Sequence, residues 1–413
     1  MMRSMFSGVA GLRNHQFRMD VIGNNIANVN TVGFKKSKVT FQDMLSQNIR
    51  GASSPQGGKG GTNPQQVGLG MTVGSIDTIH TQGSSEMTGK TTDVMVNGDG
   101  FFVVANGTNN FYTRAGNFDF DTAGNLVNPN GLKVQGWTAN AATGVIDTTQ
   151  PLGGITIPRG MSLQPKATTT ATYANNLDAN AAAGTVVSTS LEVFDSQGRS
   201  YNVPINFTKD LAGNQWAVDV PAVPAGMTGA AVTAGGPITF NGAGAYTGGS
   251  PVTVQVTYAA GGPTTPQNIV IDMTSLTQFA TTSNAAPRIQ NGYSSGSLTG
   301  YSIDKSGMIT GLFSNGQTQQ LSQIALANFN NPGGLVKSGD NLYVSTNNSG
   351  TPQIGVAGSS GRGDISPGTL EMSNVDLSQE FTDMIITQRG FQANSRIITT
   401  SDEMLQELVN LKR

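Results

Sequence analysis

The chain has 413 residues with a formal net charge of −2 and charged residues at 12%, about half of the usual ~25%. That balance argues against a nucleic-acid partner, which needs a basic footprint. Without Cys there is no disulfide, thiolate metal site or thiol nucleophile, and two histidines are too few for a typical histidine metal cluster. With 54 glycines and abundant Ser, Thr and Asn, the chain reads as two to four β-rich domains with many turns and a neutral surface. Such a surface suits a protein packed against copies of itself, or a secreted β protein without such packing.

The N-terminal segment is expected to be a helix of about 22 to 25 residues. Met5, Leu12, Met19 and Ile26 fall seven apart, with Val9, Ile22 and Val29 widening the apolar stripe. The opening "MMRSMFSGVAGLRNHQ" is a poor signal peptide, and no run of about 18 apolar residues marks a membrane span. The stripe runs into "IGNNIANVNTVGFKKSK", where Asn24, Asn25, Asn28 and Asn30 precede Thr31, Gly33 and Phe34. Asn disfavours helix interiors and favours caps and turns, so this reads as a helix end with a polar turn. Residues 47–70, rich in Gly, Pro and Gln, are expected to form a flexible or extended loop.

Strand and turn signals follow. Phe101 to Ala105, an Asn106-Gly107 turn and Phe111 to Arg114 read as a hairpin, and Asp121 to Asn125 and Asn130-Gly131 as further turns. Between about 146 and 288 lies a second β region. There Tyr201, Val203, Ile205 and Phe207, then Trp216, Val218 and Val220, alternate with polar or small residues. Pro204 implies an edge strand or an outward-facing nitrogen. Strands resume from about Asn291. A second helix of about 30 residues closes the chain. Asp376 with Gln379 resembles a capping-box start. Leu377, Met384, Phe391, Ile398 and Leu405 fall seven apart, Phe381 and Val409 fill two intervening positions, and Gln388, Ser395 and Asp402 leave the others polar. Neither helix can bury its stripe alone, so the two seams are expected to pair with each other or with neighbouring subunits.

No catalytic constellation is found. Asp119, Asp121 and Gly124 imitate an EF-hand opening, but Ala123 and Asn130 break the pattern, so a turn is expected. Gly98-Asp99-Gly100 lacks the rest of a phosphate-binding fingerprint, "GRGD" at Gly361 to Asp364 is a short chance match, and His15 and His80 lie in a helix and a β segment. No cofactor or metal is expected.

"GLRNHQFRMDVIGNNIANVNTVGFKKSK" and "SNVDLSQEFTDMIITQRGFQANSRIITTSDEMLQELVNLKR" resemble the N- and C-terminal signatures of the flagellar axial proteins, the rod and hook family. "NGDGFFVV", "FYTRAGNFDFDTAGNLVNPNGLKVQGW" and "QIALANFNNPGGLVKSGDNLYV" resemble its middle, in the family's order. The resemblance implies a mainly β, multi-domain fold with discontinuous, nested domains, whose terminal helices form a coiled-coil inner domain. The expected division is 1–30 with 370–413 as the helical inner domain and 31–70 as a connecting segment with a long loop. Residues 71–145 with 289–369 would be a β-rich middle domain, and 146–288 an inserted β-rich outer domain. The assembly seam would comprise Met5, Val9, Leu12, Met19, Ile26, Leu377, Phe381, Met384, Phe391, Ile398, Leu405 and Val409. Asn24, Asn25, Asn28, Asn30, Thr31, Gly33 and Phe34 would join that layer to the outer domains.

The resemblance further implies a structural subunit, not an enzyme. It would leave the cell through the flagellar type III export apparatus without a cleaved signal. It would polymerise with itself on the distal rod, under a hook cap, to a length set by a ruler protein, and meet the hook-filament junction proteins. No membrane insertion is implied. A hook member would form a bendable tube carrying torque from rod to filament, and its outer domains would slide. The alternatives are a distal rod subunit, which the large β insertion argues against, and a secreted β-rich adhesin, which would not need heptad helices at both ends. A long insert at 47–70 is implied to contact neighbouring subunits. The cysteine cross-link of some relatives is impossible here.

Overall fold

The computed structural model describes residues 2–55, 57–58, 60–107, 109–140, 144–211 and 213–411. Helices stand at both ends, α1 (Met2–Ala27) and α2 (Leu377–Asn410), and the rest of the described residues are strand and turn with one short 3₁₀ turn. Two compact units divide the chain. The first is Met1–Arg159 with Ser302–Thr310 and Gln320–Arg413; the second is Gly160–Tyr301 with Gly311–Gln319.

In the first unit, the strand Phe101–Asn106 pairs antiparallel with Asn109–Thr113 on one side and with Lys133–Thr138 and Leu326–Asn328 on the other. Phe101, Phe102, Val103 and Val104 are all buried, because both faces of this strand are covered, and such strands read as continuous apolar runs. Phe101, Tyr112, Phe329 and Tyr343 stack edge-on at 4.8–5.9 Å to form the centre of this core.

Beyond α1 the chain forms β1 (Ser37–Asp43), β2 (Gln47–Arg50), β3 (Gln65–Val67) and β4 (Met71–Thr78). β1 pairs with β4 from Ser37↔Thr78 to Asp43↔Met71, with a bulge at Thr40/Phe41, and β2 pairs with β3 farther out. The expectation of a loop over 47–70 is therefore corrected: this segment is the outer part of a hairpin, tied by Met44 N–H to Gly70 C=O at 2.9 Å and a mutual Ser53–Thr62 pair at 3.0 Å. Composition hid it because backbone pairing needs no apolar side chains, and every residue of β2 and β3 is exposed.

The second unit packs two five-stranded sheets. One runs Met227–Ala234, Val252–Tyr258, Gln267–Thr277, Thr170–Asn176, Ala286–Gln290; the other Val186–Phe194, Ser200–Lys209, Gln215–Asp219, Ile238–Phe240, Tyr246–Gly248. The alternating residues Val203, Ile205 and Phe207, and Val252, Val254 and Val256, point into one core around Tyr173 and Trp216. Pro204 lies in an interior strand, but on that strand Gln215–Asp219 reaches only Asn206–Lys209, so the second side of the chain at Pro204 is open, where a missing N–H costs no ladder bond.

One turn recurs across both units. At Asp121, Asn128, Asp195, Asn241 and Asp304 the side-chain Oδ1 accepts the N–H groups of the second and fourth residues that follow. The third is in each case a glycine with φ between 76° and 85°. The side chain closes the turn from outside while glycine supplies the left-handed residue at its corner. The supposed cation-loop opening at Asp121 is one of these turns.

Candidate functional site

α1 and α2 run antiparallel. Ser4 Oγ lies 3.5 Å from Ser401 Oγ, and Arg18 is paired with Asp383 at 3.0 Å. The approach is close: a methyl group on Gly11 would stand 2.7 Å from the Asn394 amide. Of the expected seam on α1, Met5, Leu12, Met19 and Ile26 are half-buried, Val9 is exposed, and Ile22 is the most deeply covered. On α2, Met384, Ile398 and Leu405 are half-buried, while Leu377, Phe381, Phe391 and Val409 are exposed. The residues of α2 that the fold buries completely are Glu380, Thr387 and Ser401. The intervening positions of the paired face are thus 380, 387, 394 and 401, three residues after the heptad sites that begin at 377, and not the 381-to-409 series read from the sequence. Hydrophobicity misled because these positions are polar. Thr387 and Ser401 hide their hydroxyls on the helix's own carbonyls, Asp383 at 2.7 Å and Ile397 at 2.7 Å. Asp376 caps α2, accepting from the N–H groups of Ser378 and Gln379, the N-cap half of the capping-box reading.

At and beyond the end of α1 the amides do separate work. Asn25 is buried; its Oδ1 accepts Ser37 N–H at 3.0 Å, and its Nδ2 donates to Ser37 C=O at 2.9 Å and to Glu380 Oε2 at 3.1 Å. This side chain pairs with β1 as a neighbouring strand would. Asn28 donates to Asn24 C=O at 2.9 Å and accepts from the Thr31 hydroxyl at 3.1 Å. Asn24 contributes through its carbonyl, and Asn30 is exposed. Gly33 has φ +68°, donates to Glu371 C=O at 2.7 Å, and would place a Cβ 2.5 Å from the Ala115 nitrogen. Phe34 is buried beneath the Lys337 ammonium, 4.9 Å from its ring centre.

Sequence reasoning missed the group that binds these pieces together. Lys35, which follows Phe34 directly, is fully buried. Its Nζ donates to Glu371 Oε1 at 2.5 Å and Thr81 C=O at 2.7 Å. Glu371 also accepts Gly83 N–H at 2.9 Å and Arg114 Nη1 at 3.4 Å, and Arg114 Nη2 reaches Gly98 C=O at 2.8 Å. One carboxylate from the approach to α2 therefore holds two cations, one from the exit of α1 and one from the β core. Burial pulls the Lys35 and Arg114 pKa values down while Glu371 holds both up. Against them lies His80, in ring contact with Phe101 and Tyr343. Burial first, then Lys35, Arg114 and Lys337, lower its pKa to about 4, so it is neutral at pH 7. Asn374 adds a further tie, accepting Lys36 N–H at 2.8 Å and donating to Ile79 C=O at 2.8 Å. Only the position of Lys35, directly after a buried glycine–aromatic pair, could have signalled this.

Four family models match the chain. They are described as "Flagella basal body rod protein" over 5–35, "Flagellar hook protein FlgE/F/G D1 domain" over 95–175, "Flagellar basal body protein FlaE D2 domain" over 162–293, and "Flagellar basal body rod FlgEFG protein C-terminal" over 366–411. Among named relatives, the flagellar hook protein FlgE of Borreliella burgdorferi is 48% identical over the whole of both chains. The chain belongs to the flagellar hook protein family. FlgE of Salmonella typhimurium is 36% identical over 99% of this chain and all of its own. The basal-body rod protein FlgG of Bacillus subtilis is 34% identical over the full length of both, so length alone does not separate hook from rod members. The solved structure of Helicobacter pylori FlgE2 aligns with 68% of this chain and 98% of its own at 16% identity and a TM-score of 0.47.

Proposed function

We propose that this hook-family chain polymerises with copies of itself into the tube of the flagellar hook, and that the tube bends while it carries torque from rod to filament. The observation that carries this reading is the helical pair, which leaves Phe6, Phe381, Ile385, Ile386 and Val409 between 50% and 69% exposed. Large apolar side chains left exposed on both helices of a pair suit surfaces that take partners. Residues 1–30 with 370–413 form the inner layer in this reading, 31–70 the connection, 71–145 with 289–369 the middle domain, and 146–288 the outer domain. The seam and junction residues named above are its assembly elements. The second unit, covered in Ser, Thr and Asn, supplies contacts that are individually weak and replaceable as the tube flexes. Export by the flagellar type III apparatus, assembly on the distal rod beneath a cap, a ruler-set length and contact with hook-filament junction proteins complete the reading. Electron micrographs of cells lacking the gene test it: basal bodies with complete rods but no hooks are expected. Loss of the distal rod itself would favour the rod role that the Bacillus relative's name carries.

A further inference from the structure

Asn97, Asn106, Asn130, Asn241, Asn291 and Asn315 each precede a glycine. Such a pair can react with itself. The glycine nitrogen can close a five-membered ring on the Asn side-chain carbon, and without a Cβ the glycine does not screen that nitrogen. Both groups must be free: the amide has to turn toward the nitrogen, and the nitrogen must not be donating its hydrogen elsewhere. Four of the pairs are held. Gln82 fastens both groups of the first, its Nε2 donating to Asn97 Oδ1 at 3.0 Å while its Oε1 accepts Gly98 N–H at 3.1 Å. Asn241 Oδ1 accepts the N–H groups of Ala243 and Ala245. Asn291 Oδ1 accepts those of Thr169 and Thr170, and Gly292 N–H donates to Gln290 Oε1. Asn315 donates to Ser294 C=O and accepts Gln317 N–H, while Gly316 N–H donates to Phe313 C=O.

The fifth, Asn130, is exposed, but Gly131 N–H is tied to Asn128 C=O at 2.9 Å. Asn106 differs from all of these. It ends the strand Phe101–Asn106 at an exposed hairpin tip, opposite Asn109. Neither its side chain nor Gly107 N–H is in a hydrogen bond among the described residues. Gly107 turns the corner at φ +65°, and a Cβ there would meet nothing within 4 Å. We propose that Asn106 is a site of spontaneous deamidation, the first of these pairs to convert. The Gly107 nitrogen, giving its proton to solvent base, bonds to Asn106 Cγ; the Cγ–Nδ2 bond breaks and ammonia leaves with a proton from water. Water then opens the cyclic imide at either carbonyl, giving Asp or isoaspartate. No oxidant, reductant or enzyme enters the balance. Each conversion adds a carboxylate to a chain whose net charge is −2. The isoaspartate product also lengthens the backbone at the turn, against the Asn106–Asn109 pairing.

Incubation of the purified full-length protein in warm, mildly alkaline buffer tests it, with digestion in mild acid and peptide mapping by mass spectrometry. A gain of about one mass unit, as a covalent change of Asn to Asp or isoaspartate, should appear first on the peptide that carries Asn106 and Gly107. The four held pairs should lag behind it by roughly tenfold or more, because hydrogen bonds must open before attack, and Asn130 should fall between. In urea the ranking should collapse, with all of the pairs converting at comparable rates. Gln82→Ala, a change at an exposed position, frees both Asn97 and Gly98 and should speed conversion at Asn97 by roughly tenfold. The proposal is overturned if Asn106 is intact when any held pair has converted, or if the same ranking persists in urea, which would make it a property of the flanking sequence. An unchanged rate at Asn97 in Gln82→Ala would also overturn it, since hydrogen bonding would then not set the order.

Discussion

Glu371 serves two buried cations, and the asymmetry has a measurable consequence. Glu371→Gln leaves Lys35 and Arg114 without a carboxylate in a dry core, a loss expected to cost about 3–5 kcal/mol. Lys35→Met removes one cation but leaves Glu371 bonded to Arg114 and to Gly83 N–H, so it should cost clearly less. Urea unfolding of the two variants checks the order, and equal losses would mean that the carboxylate is not shared. His80 supplies a pH dependence. Its folded pKa, about 4, lies below the ordinary 6.5, so between these values the unfolded chain binds the extra proton. Stability is then fullest above pH 6.5 and falls as pH drops toward 4, by up to ~3 kcal/mol. Carboxylates titrate in the same range, so the decisive comparison is His80→Gln, whose stability should vary less between pH 7 and 4.5 than the parent's. None of this cluster was legible in the sequence. Burial of Lys35 follows from the meeting of segments some 80 and 335 residues away along the chain, which no local pattern records. The amide block could be read only as a turn, because Asn25's pairing with Ser37 depends on where β1 returns.

The terminal helices were the most legible elements, since a seven-residue apolar repeat imposes its own face. What the repeat could not show is which neighbouring positions complete the paired face. At Thr387 and Ser401 the fold chose small polar groups bonded within the helix, and at Glu380 a carboxylate held by Asn25 and Lys36, and these carry no hydrophobic signal. The α2 surface is left with apolar side chains on more than one side, which suits a helix with partners in several directions. Two outcomes follow. In dilute monomer the helices lack most of those partners, and helices with so few are marginal in water. Amide exchange should therefore find residues 2–27 and 377–410 far less protected than the β units; strong protection there would show that the pair is stable alone. Leu12→Asp and Leu405→Asp each put a carboxylate on a half-buried seam position, at a cost of several kcal/mol if buried in the assembly. Both variants should be secreted with folded β units yet build no hook. Normal hooks from both would remove these residues from the seam.

At the scale of the whole molecule, the alternation of the second unit and its closed core were readable from Val203 to Phe207 and from Trp216 onward, whereas the hairpin reaching out from β1 and β4 was not. That hairpin is where stability and assembly can be separated. β2 and β3 expose every residue, so their removal uncovers no core, and an isolated two-stranded ribbon adds little stability of its own. The Met44–Gly70 backbone bond marks where the ribbon leaves β1 and β4, so a deletion of residues 47–67 closed by a short Gly-Ser link leaves that bond and the β1–β4 ladder in place. The melting temperature of the monomer should then move by no more than a few degrees, which for a chain of this size corresponds to roughly 1 kcal/mol. The deleted ribbon carries Ile49 and Val67, 62% and 38% exposed, and a contact it made with a neighbouring subunit would resist bending without stabilising either subunit alone. Tubes should therefore still form from the deleted chain, but with altered curvature in electron micrographs and impaired swimming of the cells. A large drop in monomer melting temperature would place the hairpin within a folded core, and unchanged curvature and swimming would show that it ties no subunits together.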